Sequence, residues 1–180
     1  IWSGTGIVDA AAGIFSPALV GVGSHIITYQ YTDPLTGCIN TDDKFVTILP
    51  LPVVDAGDPI QYCNTPTDIT LSGYSPAGGT WTGTGILDPI VGVFNPSAAG
   101  GIGNYNVIYT YTDNNNCTNF DTLQIQVIAP PIVEAGPRDT ICIDAVPLVL
   151  SDYFPLGGTW SGTGIIDPFA GIFDPNVSGV

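Results

Sequence analysis

The chain has 180 residues, of which 44% are hydrophobic, so it can form ordinary apolar cores and lacks the composition of a disordered segment. Sixteen acidic residues stand against two basic ones, which gives a formal net charge of −14 at pH 7. That charge argues against nucleic acid and anionic membrane surfaces as partners, because both require basic patches. No run of about 18 apolar residues occurs, so no membrane insertion is expected in this segment.

The first predicted element is a short motif that returns twice. The pattern Trp-(Ser/Thr)-Gly-Thr-Gly-Ile starts at Trp2, Trp81 and Trp160, which are the only tryptophans and are evenly spaced. A Phe-x-Pro sequence follows each of them at one constant interval. The interval from Trp2 to Trp81, called the repeat period below, is too long for one rung of a solenoid and suits a small independent domain.

Two β-hairpins are predicted from alternating apolar and polar residues. The first runs from His25 to Leu49 and the second covers 104–128. In the second hairpin, aromatic and β-branched residues fall at every second position, which is typical of a strand with one buried face. Lys44 stands at the repeat position of Leu123, so the first hairpin is either exposed there or shifted in register.

Short strands are also predicted at 69–73, at 147–151 and around each tryptophan. No segment longer than a few residues shows a helical period, and 23 Gly and 16 Pro disfavour helix further. Short strands separated by Gly- and Pro-containing turns are typical of an immunoglobulin-like β-sandwich. The predicted fold class is therefore all-β, with tandem immunoglobulin-like β-sandwich domains arranged as an extended rod.

Proline-containing joints mark the expected domain boundaries. Residues 48–53 and 128–132 each connect the last strand of one repeat to a Val-(Asp/Glu)-Ala-Gly sequence of the next. Such joints are stiff and extended, because proline fixes φ and cannot donate a ladder hydrogen bond. We therefore predict the C-terminal part of one immunoglobulin-like repeat at 1–51, a complete repeat at 52–130 and the N-terminal part of the next at 131–180.

The four cysteines occur as two per repeat, without the Cys-x-x-Cys pair or histidine cluster that would indicate zinc. They favour disulfides and an oxidising, exported location. The first choice is a bridge from Cys63 to Cys117, because closing so long a loop would contribute roughly 4 kcal/mol by chain entropy. The alternatives are Cys38–Cys63 with Cys117–Cys142, two loops of equal length, and thiols that are free or paired outside this chain.

Two interpretations apply to Trp81 and its copies, an exposed platform for sugar stacking and a core side chain. The flanking Thr and Ser and the repetition in every unit favour the core. The Gly-Thr-Gly that follows is not a phosphate loop, since no lysine and no helix follow it. His25 is the only histidine and stands at the repeat position of Tyr105, so no triad is expected and the chain is predicted not to be an enzyme.

We expect no cofactor, and calcium is the one alternative to that expectation. Asp113, Asn114 and Asn115 offer carboxylate and amide oxygens of the kind that Ca²⁺ binds. The corresponding turn of the first repeat, 33–37, offers far fewer, and Asx residues form turns without metal. Solvated turn residues are therefore the default interpretation, with these three as weak calcium candidates.

One order of motifs runs through the chain: Val-x-Ala-Gly, an isolated Cys, Gly-Gly-Thr-Trp-(Ser/Thr)-Gly-Thr-Gly-Ile, Gly-x-Phe-x-Pro, and Tyr-x-Tyr-Thr-Asp before a second Cys. This order resembles the tandem Ig-like or PKD-like repeats of large Bacteroidota cell-surface adhesins. Those proteins are exported by the type IX secretion system and include SprB-like gliding-motility adhesins. The resemblance covers essentially the whole chain. It implies an extracellular, cell-surface stalk or filament of many domains and carries over no catalytic residue.

The resemblance also implies O-glycosylation at a short Asp-(Ser/Thr)-aliphatic acceptor, which matches Thr122 and Thr140. The expected partners are neighbouring repeats of the same chain, with surface glycans or other copies of the filament as further candidates. The predicted function is a structural and adhesive repeat segment of a large extracellular filament or stalk, with a gliding-motility adhesin as its most specific form. The alternative is a carbohydrate- or calcium-binding β-sandwich module of a secreted protein.

Overall fold

The computed structural model describes residues 1–65 and 67–178 of the chain. In these ranges fifteen strands form five small sheets, and helix is limited to one 3-10 turn and two four-residue helices. The chain divides into two compact units, Ile1–Ile128 and Ala129–Val180. The predicted all-β fold class is confirmed.

Residues 1–51 form five strands and a turn of 3-10 helix. In chain order these are β1 (Trp2–Ser3), β2 (Ile7–Asp9), β3 (Ile14–Phe15), the 3-10 turn Pro17–Leu19, β4 (Gly23–Thr32) and β5 (Ile39–Ile48). β4 and β5 pair along their full length, β1 pairs with the other edge of β4, and β2 pairs with β3. The hairpin predicted from His25 to Leu49 is confirmed as β4 and β5.

The middle repeat contains seven strands in two sheets. Its elements are β6 (Ile60–Cys63), β7 (Ile69–Thr70), β8 (Thr80–Thr82), β9 (Ile86–Asp88), β10 (Val93–Phe94), helix α1 (Pro96–Ala99), β11 (Gly103–Thr112) and β12 (Thr118–Ile128). One sheet has the strand order β6-β12-β11-β8 and the other has the order β7-β10-β9. The hairpin predicted at 104–128 is confirmed as β11 and β12.

The strands of the middle repeat cross between the two sheets as the chain proceeds. β6, β8 and the β11–β12 hairpin belong to the four-stranded sheet, and the strands between them belong to the other. β6 pairs in parallel with β12, with Ile60 opposite Ile125 and Cys63 opposite Ile128. β11 pairs antiparallel with β8 and β12. This arrangement is a β-sandwich, as the sequence predicts.

Ten buried apolar residues between Ala56 and Val127 form one core cluster. Alternate residues in the middle of β11 and the second half of β12 contribute, because alternate side chains of a strand point to the same face; these residues are Val107, Tyr109, Leu123, Ile125 and Val127. The other sheet and its flanks supply Leu71 and Phe94. The middle repeat therefore closes a core from its own residues, which is the requirement for a domain that folds alone.

Residues 131–178 form the counterpart of only one of these sheets. Their elements are β13 (Leu148–Val149), β14 (Ile165–Asp167), β15 (Ile172–Phe173) and helix α2 (Pro175–Ser178), and the strand order β13-β15-β14 matches β7-β10-β9. The strand predicted around Trp160 is wrong. Its counterpart β8 pairs with β11 alone, and residues 131–178 hold no counterpart of β11. The strands predicted at 69–73 and 147–151 shorten to two residues each.

Lys44 occupies an inward repeat position without any shift of register. It lies opposite Ile27, as Leu123 lies opposite Val107. Leu123 is buried, whereas Lys44 is exposed, since residues 1–51 hold no counterpart of β6 and β7. Of the two alternatives for this strand, exposure is correct and a shifted register is wrong. The division of the chain at 51/52 and 130/131 stays a prediction.

Leu123→Ala is expected to destabilise the middle repeat by about 2–5 kcal/mol, because it removes a buried side chain and leaves a cavity. Lys44→Ala, at the same repeat position, is the matched control and is expected to change stability little, because Lys44 is exposed. Hydrogen exchange of the β11–β12 and β4–β5 peptides, followed by mass spectrometry, measures both effects in the same chain. Equal loss of protection in the two hairpins would contradict the assignment of the core.

Candidate functional site

The repeated tryptophan lies in the core of the middle repeat rather than on its surface. Trp81 has no exposed area and packs against Tyr74 and Tyr109, with ring centroids 5.4 and 4.9 Å away. Trp2 and Trp160 are half-buried. An indole without exposed area cannot stack on a sugar, so the core interpretation is confirmed for Trp81.

A glycine covers the edge of each indole. A Cβ added at Gly92 would lie 2.7 Å from Trp81 Nε1, and a Cβ added at Gly13 or Gly171 would lie 2.6 Å from the Nε1 atom of the tryptophan in its own repeat. Gly92 also has a backbone φ of +78°, which residues with a side chain rarely adopt. These glycines therefore close the side of the motif on which a ligand would have to approach the indole nitrogen.

Tyr109 is the polar anchor of the motif. Its hydroxyl donates to Pro76 O at 2.6 Å and accepts from the Gly79 N–H at 2.8 Å. Gly79 has no space for a side chain, since a Cβ there would lie 2.6 Å from Tyr109 Cζ. The Gly-Gly before the tryptophan is thus the place where the tyrosine of β11 docks. The sequence interpretation missed this role, although the recurrence of Tyr109 as Tyr29 is the signal that could have found it.

The aspartate that follows each tryptophan motif holds a turn. Asp88 Oδ1 accepts from the N–H groups of Ile90 at 2.8 Å and Val91 at 3.0 Å. Asp9 and Asp167 accept in the same way from the residues two and three positions further on, at 2.9 Å each. The N–H groups of Val91 and Ile90 hold the pKa of Asp88 below its ordinary value of 3.8. These three carboxylates therefore stabilise the turns by accepting hydrogen bonds from backbone N–H groups.

The weak calcium candidates lie in the turn between β11 and β12. Asp113 Oδ1 accepts from the N–H of Cys117 at 2.9 Å and of Asn115 at 2.8 Å, and these bonds, that of Cys117 first, lower the pKa of Asp113. Asn114 and Asn115 are exposed. Within residues 1–65 and 67–178, no three His, Cys, Asp or Glu side chains come together as a metal site. The arrangement is an Asx turn, in which the carboxylate is engaged by its own loop.

The predicted disulfide between Cys63 and Cys117 is wrong. Cys63 ends β6 opposite Ile128, the last residue of β12, whereas Cys117 directly precedes β12. The 11 residues of this extended strand span about 36 Å, whereas a disulfide requires Cα atoms within about 7 Å. None of the predicted pairings is formed in the structure, since Cys38, Cys63, Cys117 and Cys142 are all free thiols. The parallel direction of β6 and β12 is the physical reason that Cys63 and Cys117 lie far apart.

The two O-glycosylation candidates are both exposed. Thr122 lies in β12 on the face opposite to the buried Leu123, and Thr140 lies outside the strands. Asp121, which precedes Thr122, accepts from the Ala56 N–H at 2.9 Å, and this bond lowers the pKa of Asp121. Glycosylation of the two threonines stays a prediction.

A cavity of about 160 Å³ within residues 131–178 corresponds to a core position of the middle repeat. Its lining includes Tyr153, Pro155, Gly158 and Trp160. Their counterparts, one repeat period earlier, are the groups that contact Tyr109 in the middle repeat. Residues 131–178 hold no counterpart of β11, so within them no tyrosine occupies the position that Tyr109 takes in the middle repeat.

A polar groove of about 300 Å³ lies on the outer face of the four-stranded sheet. Its lining consists of two apolar residues and four side-chain amides: Pro59, Ile60, Gln61, Asn104, Gln124 and Gln126. Gln61 Nε2 donates to Gln126 Oε1 at 2.7 Å across the β6–β12 pair. Amides both donate and accept, so an uncharged groove of this kind suits hydroxyl-rich molecules better than ions.

A comparison with protein-family models gives no match, and a comparison with curated proteins gives none either. Within the described ranges, no helix is long and apolar enough to cross a membrane. The geometry of the repeat is therefore the observation on which a functional conclusion rests.

Tyr109→Phe is expected to destabilise the middle repeat by about 1–3 kcal/mol, because it leaves the buried Gly79 N–H without its acceptor. Tyr105→Phe is the matched control. It removes one bond, to Gly101 O, at a half-buried position, and a smaller loss is expected. Urea denaturation of residues 52–130 measures both losses, and a larger effect at Tyr105 would contradict the role of Tyr109 as anchor.

The lowered pKa of Asp88 predicts a loss of stability in acid. A carboxyl with a lower pKa in the folded chain stabilises the fold above its unfolded pKa and loses that contribution as pH falls through the folded pKa. The unfolding free energy of residues 52–130 is therefore expected to fall below about pH 4.

Asp88→Asn keeps an acceptor oxygen but cannot titrate, so this variant is expected to lose less stability between neutral pH and about pH 3. Asp58→Asn serves as control, because Asp58 makes no side-chain hydrogen bond within the described part of the repeat. Thermal unfolding at both pH values gives the comparison. The same acid loss in the Asp88→Asn variant as in the wild type would argue against this role.

Proposed function

We propose that the chain is a structural and adhesive repeat segment of a large extracellular surface filament or stalk, with a gliding-motility adhesin as its most specific form. One combined observation carries this conclusion: a constant repeat period in the sequence and a middle repeat that closes its own core. Units that fold separately and follow one another gain length with each copy, which is the property that a stalk requires.

The direction of the first and last strands supports a head-to-tail series. Pro52 O, at the start of the repeat, accepts from Asn119 Nδ2 at the start of β12. The chain then runs parallel to β12 until Cys63 reaches Ile128 at its end. The chain thus enters the sandwich at one end and leaves at the other. Since β12 spans 11 residues, each complete repeat would add about 36 Å.

The joints between repeats support a stiff series rather than a flexible one. Pro50 and Pro52 lie in the joint at the start of the middle repeat, and Pro130 and Pro131 lie in the corresponding joint at its end. Proline restricts φ and favours extended backbone. A rod of sandwiches is therefore the arrangement that we propose, with neighbouring repeats of the same chain as the first partners.

The surface supports a passive, solvated role. A net charge of −14 makes neighbouring copies repel one another within the Debye length, about 8 Å at physiological salt. Among the described residues, no charged side chain is buried. We assign no catalytic residue and no cofactor. The extracellular, cell-surface location rests on the resemblance to Bacteroidota adhesin repeats.

The test compares one, two and three copies of residues 52–130 in series by small-angle X-ray scattering. The largest dimension is expected to rise by a constant increment of about 36 Å or more per copy, because each sandwich adds the length of β12. The full 180-residue chain is expected to show a radius of gyration above the roughly 16 Å of a compact globule of that size. A largest dimension that stays nearly constant with copy number would overturn the stalk.

The polar groove favours a second candidate, a carbohydrate-binding module. Its amides lie on an exposed sheet face and carry no charge, as hydroxyl recognition requires. Binding of residues 52–130 to a glycan array tests it, with Gln124→Ala as the groove variant. Thr122→Ala, on the same face of β12, is the control. Binding that depends on Gln124 and not on Thr122 would favour this function, and no binding to any glycan would remove it.

A further inference from the structure

Strand β5 lies at the edge of its sheet. The strand order is β1-β4-β5, and among the strands of the described ranges β5 pairs with β4 alone. In the middle repeat, the matching edge of β12 is covered by β6, which pairs with it in parallel. The outer edge of β5 therefore presents backbone N–H and C=O groups to which a further strand can bind.

A second segment has the repeat position of β6 but forms no strand. Residues 139–142, called the donor segment below, follow β6 by one repeat period. All four residues are exposed, and they belong to no sheet. Ile141 keeps a large apolar side chain where β6 has the half-buried Tyr62. The chain thus contains both an edge without its strand and a segment that matches this strand.

The middle repeat gives the register in which such an edge and segment pair. Ile60 lies opposite Ile125. Four residues earlier on each strand, the Ala56 N–H donates to the Asp121 carboxylate at 2.9 Å. The offset between the two segments is therefore constant from Ala56 to Cys63, and it can be carried to the same positions one repeat period away.

In this register the donor segment brings an acid to the basic residue of β5. Asp139 stands at the repeat position of Ile60, so it lies opposite Val46 and on the inward face. Lys44 is two residues before Val46 on that face, which makes it the diagonal neighbour of Asp139. Diagonal neighbours are about 7–8 Å apart, within the reach of a long side chain.

The second basic residue of the chain also meets an acid in this register. Arg138 lies opposite Phe45, whose ring is exposed, and is the diagonal neighbour of Asp43 on the outward face. A guanidinium there can contact the ring and the carboxylate together. Within residues 1–65 and 67–178, neither Lys44 nor Arg138 forms an ion pair. One register thus gives both basic residues of the chain an acidic neighbour.

We propose that the donor segment of one copy of the chain adds as a parallel strand to the free edge of β5 in a second copy. The resulting order, donor-β5-β4-β1, is that of the sheet β6-β12-β11-β8. Main-chain hydrogen bonds provide the attraction, and the two ion pairs fix the register. The contact joins separate chains, so it goes beyond the proposed stalk and does not depend on how successive repeats of one chain are arranged.

Sedimentation equilibrium of the 180-residue chain tests the association. A reductant keeps the thiols free, and about 0.15 M salt screens the repulsion between acidic chains beyond about 8 Å. The weight-average mass is expected to rise with protein concentration up to about 1 mM, because a contact through one short strand is weak. A mass that stays at the value of one chain over this range would overturn the proposal.

Reversing either charge of the inward pair is expected to weaken the association about tenfold, since like charges then face each other. Lys44→Asp and Asp139→Lys are the single variants, and both positions are exposed. They change the net charge in opposite directions, so general repulsion cannot explain a loss in both. The double variant restores an opposite-charge pair and is expected to recover most of the affinity.

Asp144→Lys is the matched control for Asp139→Lys. It makes the same change of charge at an exposed position outside the donor segment, and it is expected not to weaken the association. Losses that simply add in the double variant, or an equal loss in the control, would overturn the register.

Hydrogen exchange at several protein concentrations locates the contact. Amides at 46–49 and 139–142 are expected to gain protection as concentration rises, whereas those at 125–128, already paired with β6, are expected to stay unchanged. Protection of 139–142 that is independent of concentration would place the segment within its own chain and overturn a contact between copies. Association with protection at other segments would overturn the placement on β5.

Discussion

The contact between Trp81 and Tyr109 is the constraint on which the rest of the repeat depends. The rings pack with centroids 4.9 Å apart, and the tyrosine hydroxyl holds the Gly-Gly bend that leads into β8. Trp2 and Tyr29 keep the same distance, although Tyr29 is 40% exposed. The pair therefore forms from the local pairing of two strands. In the middle repeat, Tyr74 packs against both rings, and Trp81 and Tyr109 have no exposed area.

Sequence reasoning predicted the features that depend on period and alternation. Both long hairpins, the burial of Trp81 and the inward position of Leu123 follow from apolar residues at every second position. Sequence reasoning could not predict the features that depend on strand direction. Spacing along the chain says nothing about β6 running parallel to β12, and that direction alone decides that Cys63 and Cys117 cannot meet. The hydroxyl of Tyr109 was missed for a similar reason, since its partners lie far away along the chain.

The acidity of the chain has a local explanation. Aspartates at repeated positions, such as Asp88 and Asp113, accept from two backbone N–H groups of their own turns. Asp121 holds the N–H of Ala56 and so ties the first segment of the repeat to its last strand. A β-sandwich with many tight turns uses many such residues, and basic residues have no equivalent role because they cannot accept hydrogen bonds. The negative charge is therefore in part a consequence of how the turns are built.

The parallel pairing of β6 and β12 determines how a repeat responds to tension. A force applied to the two ends of the repeat draws these strands past each other, because the chain leaves the pair in opposite directions. The hydrogen bonds between Ile60–Cys63 and Ile125–Ile128 are then loaded in shear and must break together. An antiparallel terminal pair would instead open one bond at a time. A strand of four residues thus bears the load before the much larger core behind it is disturbed.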